Sequence, residues 1–95
     1  MSDFPWDEVL YQSDYWLDRN MVKHPIAEMT TSHLRNAIPY AENGRDQLIM
    51  SALRYADQAP DGAAMEAERG ANQLMFEEPP LITALKDELR KRSAL

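Results

Sequence analysis

Residues 30–57 read TTSHLRNAIPYAENGRDQLIMSALRYAD, and the fold turns on how this stretch is divided into helices. Thr30, Thr31 and Ser32 offer side-chain oxygens to the unpaired N–H groups of a first helical turn. Leu34, Ala37, Ile38 and Ala41 then share one face at helical spacing. Pro39 has no N–H, and its ring crowds the carbonyl four residues back, so a kink or an end is expected near Ile38. Asn43 and Gly44 predict a definite stop. From Arg45 to Asp57, Leu48, Ile49, Ala52, Leu53 and Ala56 form a second apolar stripe with Met50 and Tyr55 at its margins. Two helices in succession are thus expected here.

Outward toward the C-terminus, Ala59-Pro60-Asp61-Gly62 predicts a turn, with Asp61 capping a helix that carries Ala64, Ala67, Ala71, Leu74 and Met75 around Gly70. Glu77-Glu78-Pro79-Pro80 interrupts the chain, and Pro80 suits the first position of a last helix with Leu81, Ile82, Leu85 and Leu89 inward. On that helix Asp87 with Lys91 and Glu88 with Arg92 are expected to pair at i,i+4. Toward the N-terminus, Tyr15-Trp16-Leu17 and Met21 to Ile26 flank Asp18-Arg19-Asn20. They read as two short strands about a tight turn in which Asn20 takes the positive φ. Pro5 suits the start of a short helix through Asp7 to Leu10. The expected class is mainly α: three to four helices in a small bundle with a short N-terminal β-hairpin or extended segment. The 95 residues allow one domain, an acidic aromatic segment 1–29 followed by the helices of 30–95.

The chain has no cysteine and a formal net charge of −6. Disulfide frameworks, thiolate nucleophiles and thiolate metal sites are therefore excluded. Apolar runs are too short for a membrane span, and an aspartate near the N-terminus argues against a signal peptide, so the cytoplasm is the expected location. Residues 1–18 hold Asp3, Asp7, Glu8, Asp14 and Asp18 with no Lys or Arg, and residues 60–80 hold five acids against Arg69. A polyanion would be repelled by such segments, which disfavours direct nucleic-acid binding. Either this charge docks on a basic partner, or it only keeps a small protein in solution.

Few constellations suggest chemistry. Asp57, Asp61, Gly62 and Glu68 fit four places of a calcium loop, but Ala59 and Met65 fill two ligand places without side-chain oxygens. Ser32 and His33 are adjacent, and adjacent helical residues diverge by about 100°. His33 and Asn36 share a face at i,i+3; together they suit a ligand, or the backbone of the Trp16–Ile26 segment. No catalytic residue, metal site or cofactor is expected. The aromatic residues of the first sixteen positions, surrounded by acids, suit either a core or a binding patch, with Trp16 expected inside and Trp6 at the surface. Asp3, Trp6, Asp7, Glu8, Tyr11 and Asp14 are accordingly the candidate partner-binding residues.

Trp16, the turn at Asp18–Asn20, Ile26, Met29, His33-Leu34, Asn36 and Ile38 together resemble a pattern in small uncharacterised proteins of tailed-phage genomes. Leu85, Glu88 and Arg92 after Pro80 are loosely similar to their C-terminal helix. The match covers residues 15–38 well and 80–92 loosely; it departs in having Asn20 where a glycine is usual and Pro39 inside the helix. The resemblance implies a phage origin without an activity common to the group. The expected function is a non-enzymatic accessory protein in the host cytoplasm. It would bind a host protein with a basic or nucleic-acid-binding surface, as an inhibitor of a defence complex such as a CRISPR effector. The alternative is a small phage assembly protein that self-associates, possible as a homodimer.

Overall fold

The computed structural model describes residues 4–58 and 60–93, apart from the side chain of residue 61. The chain runs through a one-turn helix α1 (Trp6–Val9), an antiparallel hairpin of β1 (Tyr15–Leu17) and β2 (Lys23–Pro25), and a 3₁₀ turn (Ile26–Glu28). Three long helices follow: α2 (Thr31–Gln58), α3 (Asp61–Phe76) and α4 (Pro80–Ser93). This is the mainly helical class with an N-terminal hairpin that the sequence predicts. No helix among the described residues is long and apolar enough to cross a membrane.

The division of residues 30–57 into two helices is corrected: α2 is continuous for 28 residues, with Pro39 inside it. Its N-terminus is capped as expected, Thr30 Oγ1 accepting the His33 N–H at 3.1 Å. Leu34, Ala37, Ala41 and Gly44 form the buried stripe of its first half, while Pro39 is exposed on the opposite side. There the Arg35 carbonyl that loses its partner can turn to water, and burial of the opposite face outweighs the proline penalty. Gly44 is not a stop, because no glycine has a positive φ. It is small for another reason, a ring packed against it.

One core joins the N-terminal segment to α2 and α4. Trp6, Val9 and Leu10 from α1 and its end, Trp16 and Leu17 from β1, and Ile26 and Met29 meet Leu34, Ala37 and Ala41 of α2 and Leu81, Ile82 and Leu85 of α4. The Leu81 N–H donates to the Leu10 carbonyl at 3.1 Å, tying the start of α4 to the end of α1. Arg92 ties the other end, donating to the carbonyls of Met29 and Ala27 while pairing with Glu88 at 3.1 Å. Of the two expected i,i+4 pairs only Glu88 with Arg92 forms. Asp87 pairs instead with Arg90, one residue nearer, at 3.0 Å.

The second half of α2 and α3 make an antiparallel helical hairpin that projects from this core, and the molecule measures 51 × 27 × 17 Å. Ala71 and Leu74 are the buried apolar residues of α3 among those described. Arg45 fastens the base of the hairpin, donating Nε–H to the Leu74 carbonyl at 2.5 Å and Nη2–H to that of Met75 at 3.3 Å, at the negative end of α3. Small alanines allow the two helices to approach, but they leave little apolar area to bury. Met50, Leu53, Tyr55, Met65, Met75 and Phe76 stay exposed, the last at 82%. The cap expected of Asp61 falls on a side chain outside those described; α3 begins at Asp61 itself, with Pro60 before it.

Candidate functional site

The hairpin and the first half of α2 stand side by side and leave a cleft of about 710 Å³ between them. Trp16, Leu17, Asp18, Arg19 and Met21 form one wall. On the other wall His33, Asn36, Tyr40, Asn43 and Gln47 follow one another at three- and four-residue steps, a polar stripe displaced by one residue from the buried one. Phe4 and Trp6 close the apolar end. Their ring centroids are 4.4 Å apart, and Trp6 lies 6.1 Å from Trp16. Arg19 spans the cleft by donating Nη2–H to the Tyr40 hydroxyl.

The turn of the β-hairpin sets the first wall. Asp18 and Val22 bond across it, with Asp18 N–H donating to the Val22 carbonyl at 3.0 Å, and the Met21 N–H returns to the Asp18 carbonyl at 3.0 Å. The three loop residues make a tight turn followed by one left-handed residue, which adds a bulge and matches the strand twist. That residue is Met21, at φ 65°, and not the expected Asn20. Asp18 organises the loop: Oδ1 accepts the N–H groups of Asn20 and Val22 at 2.8 and 2.9 Å, and Oδ2 accepts from His24 Nε2 at 2.7 Å. The His24 hydrogen bond, followed by that from Val22, holds the Asp18 carboxyl below the usual aspartate range. The His24 ring in turn meets His33 edge to face, with centroids 5.2 Å apart.

The expected pair His33 and Asn36 therefore does share a site, facing Trp16 across the cleft. Among the described residues no hydrogen bond joins either side chain to the 16–26 backbone; His33 reaches that segment through the His24 ring instead. Arg19, Met21, Tyr40, Asn43 and Gln47 were not expected there. Their signal was in the sequence as the stripe 33, 36, 40, 43, 47, which becomes a single face only if the helix continues through Pro39.

The candidate partner-binding residues separate. Trp6, expected at the surface, is 8% exposed: its indole lies so close to α2 that a Cβ on Gly44 would come within 2.3 Å of the ring. Trp6 is a core residue and a cleft edge, and it leaves the docking set. Asp7, Glu8 and Asp14 are exposed, as is Tyr11 at 48%. Asp3 lies outside the described residues. Tyr11, from the first acidic stretch, shares a hollow of about 220 Å³ with Glu77, Glu78, Pro79 and Pro80 of the second. Glu78 is the engaged member: Lys86 donates to it at 2.8 Å and Thr83 at 2.8 Å. The Lys86 bond holds the Glu78 carboxyl below its usual range, and Glu78 holds the Lys86 ammonium above its own. No group of three or more metal-ligating side chains comes together among the described residues. Comparison with protein families, with curated proteins and with solved structures finds no match to the chain.

Proposed function

We propose that the chain is a non-enzymatic phage accessory protein that docks on a basic surface of a host protein, and that a nucleic-acid-binding defence complex such as a CRISPR effector is the concrete form of that partner. The observation that carries this reading is the corner at Tyr11, where an exposed aromatic ring from the acidic N-terminal stretch shares a hollow with Glu77 and Glu78, more than sixty residues away in sequence. Exposed charge of one sign steers a partner of the other and selects it, and a tyrosine at the centre supplies contact area. With Trp6 enclosed, the contact rests on Asp7, Glu8, Tyr11, Asp14 and Glu77. The test is retention of a basic, nucleic-acid-binding host protein by the purified chain and by its Asp7→Lys/Glu8→Lys/Glu77→Lys variant. Retention lost in the variant and in high salt supports the proposal; equal retention by both, or none by either, overturns it.

Self-association is a second reading, favoured by the projecting hairpin of α2 and α3. Helical periodicity puts Leu53 of α2 and Met75 of α3 on the same side of the seam, with Met50 and Met65 further round toward the backs of the two helices. Two such faces packed together would complete a four-helix bundle. Sedimentation at about 10–100 μM, the range of weak dimers, separates the readings: a monomer removes this one.

A further inference from the structure

We propose that the cleft between the β-hairpin and α2 binds a flat, uncharged heteroaromatic molecule of the nucleobase class. Its volume of about 710 Å³ lies within the span of small-molecule sites, about 300–1,000 Å³. What it offers is specific in two respects. Phe4, Trp6 and Trp16 line its apolar end with rings tilted against one another, which suit an aromatic body entering between the walls. One wall presents the carboxamides of Asn36, Asn43 and Gln47, and among the described residues none of the three side chains is bonded to another protein group. Each carboxamide sets a donor beside an acceptor, the pattern that pairs with the edge of a base.

Charge then selects within that class. Asp18 and Arg19 are the charged residues lining the cleft, one of each sign. Asp18 is taken up by His24 and by two loop N–H groups, and Arg19 by Tyr40. Among the described residues, the one Lys or Arg that a phosphate entering here would meet is Arg19, already bonded to Tyr40, in a chain of net charge −6. The ligand is therefore the neutral base or nucleoside, and not a nucleotide held by its phosphates. The same ring chemistry occurs in a free nucleoside and in an unpaired base of single-stranded RNA.

Both tryptophans of the chain line the cleft, so their fluorescence reports its occupancy directly. Adenosine, guanosine, cytidine and uridine are titrated into the full chain, each followed by its 5′-monophosphate and by a short single strand carrying the same base. Expected is saturable binding of at least one nucleoside below about 1 mM, weakened about tenfold by Asn43→Ala or Gln47→Ala with the melting temperature maintained. The monophosphate binds more weakly than its nucleoside at low salt, and the gap narrows as salt rises. A single strand that binds more tightly than the nucleoside assigns the base to RNA; a weaker one assigns it to the free metabolite. The proposal is overturned by no saturation with any nucleoside, by binding unchanged in the Asn36→Ala/Asn43→Ala/Gln47→Ala variant, or by preference for the monophosphate. N-acetyltryptophanamide binding where no nucleoside does would also overturn it, giving the cleft to a protein side chain. None of these outcomes depends on the acidic corner.

Discussion

Replacing Gly44 by alanine should destabilise the protein, although the position is the interior of a long helix, where alanine is the better residue by about 1 kcal/mol. The added Cβ would sit 2.3, 2.4 and 2.5 Å from Cδ2, Cε2 and Cε3 of Trp6. Carbon atoms pack at about 3.5–4.0 Å, so the indole has to retreat by about 1 Å or more. Phe4 at 4.4 Å and Trp16 at 6.1 Å stand around that ring and limit its retreat. Overpacking of this kind costs about 1–3 kcal/mol, and complete ejection of the indole forfeits about 3 kcal/mol of burial. Against the gain in propensity the net loss is up to about 2 kcal/mol, or up to about 15 °C in Tm for a chain of this size. Urea titrations of a two-by-two set measure it: Gly44→Ala, Trp6→Ala, both, and neither. In the Trp6→Ala background the obstacle is gone, and Gly44→Ala should become stabilising by up to about 1 kcal/mol. Gly70, with nothing within 4 Å of its virtual Cβ, is the control, and its alanine variant should stabilise the unaltered chain by a similar amount. A stabilising Gly44→Ala in the otherwise unaltered chain, or an equal loss with and without Trp6, would refute the close approach as the reason for this glycine.

Pro39→Ala restores an N–H to the Arg35 carbonyl on the exposed side of α2 and should raise stability by about 2 kcal/mol, read from the denaturation midpoint. Arg92→Ala should cost about 2 kcal/mol, and Arg92→Lys should recover little of it, because two carbonyls and a carboxylate need the planar fork. Met21→Gly relieves a left-handed residue and should stabilise by about 1 kcal/mol in the same assay. Acid sensitivity follows from Glu78. Its folded carboxyl titrates below the unfolded one, so its contribution is present above the ordinary glutamate range and is lost as pH falls through the lowered value. Lys86→Met removes the main cause, and its stability should therefore fall less steeply from neutral pH into acid than that of the unaltered chain.

Local spacing carried most of the architecture into the sequence. Pro80 at the start of α4, the Thr30 cap and the strand pair about Asp18 depend on neighbours a few residues away, and each is where its local chemistry puts it. What was illegible depends on partners distant in the chain. Asn43-Gly44 has the letters of a helix stop; only Trp6, thirty-eight residues earlier, makes the glycine a seat for a ring. Asp87 had two cations in reach and took the nearer. Tyr11 and Glu77 read as separate acidic stretches until α1 and α4 are joined by the Leu10–Leu81 hydrogen bond. The surface position expected of Trp6 failed for the same reason: an aromatic ring among acids says nothing of the groove a distant glycine opens for it.

Continuity of α2 through Pro39 is what makes the cleft one site. A break at Ile38 would let the second half of the helix swing about its axis. The stripe of His33 and Asn36 would then be separated from Tyr40, Asn43 and Gln47, and Gly44 would move away from Trp6. The two halves of α2 are nevertheless unequal in stability. Residues 34–44 are locked by the buried stripe and by α4, and Leu48 still packs on that core, whereas the stretch beyond it is held by small alanines, Leu74 and the carbonyls that Arg45 caps. Opening should therefore begin at the tip of the hairpin and stop near Gly44, where leaving the core first exposes an indole. A partner that covers the exposed methionines would stabilise only the outer half, and a molecule in the cleft only the inner one.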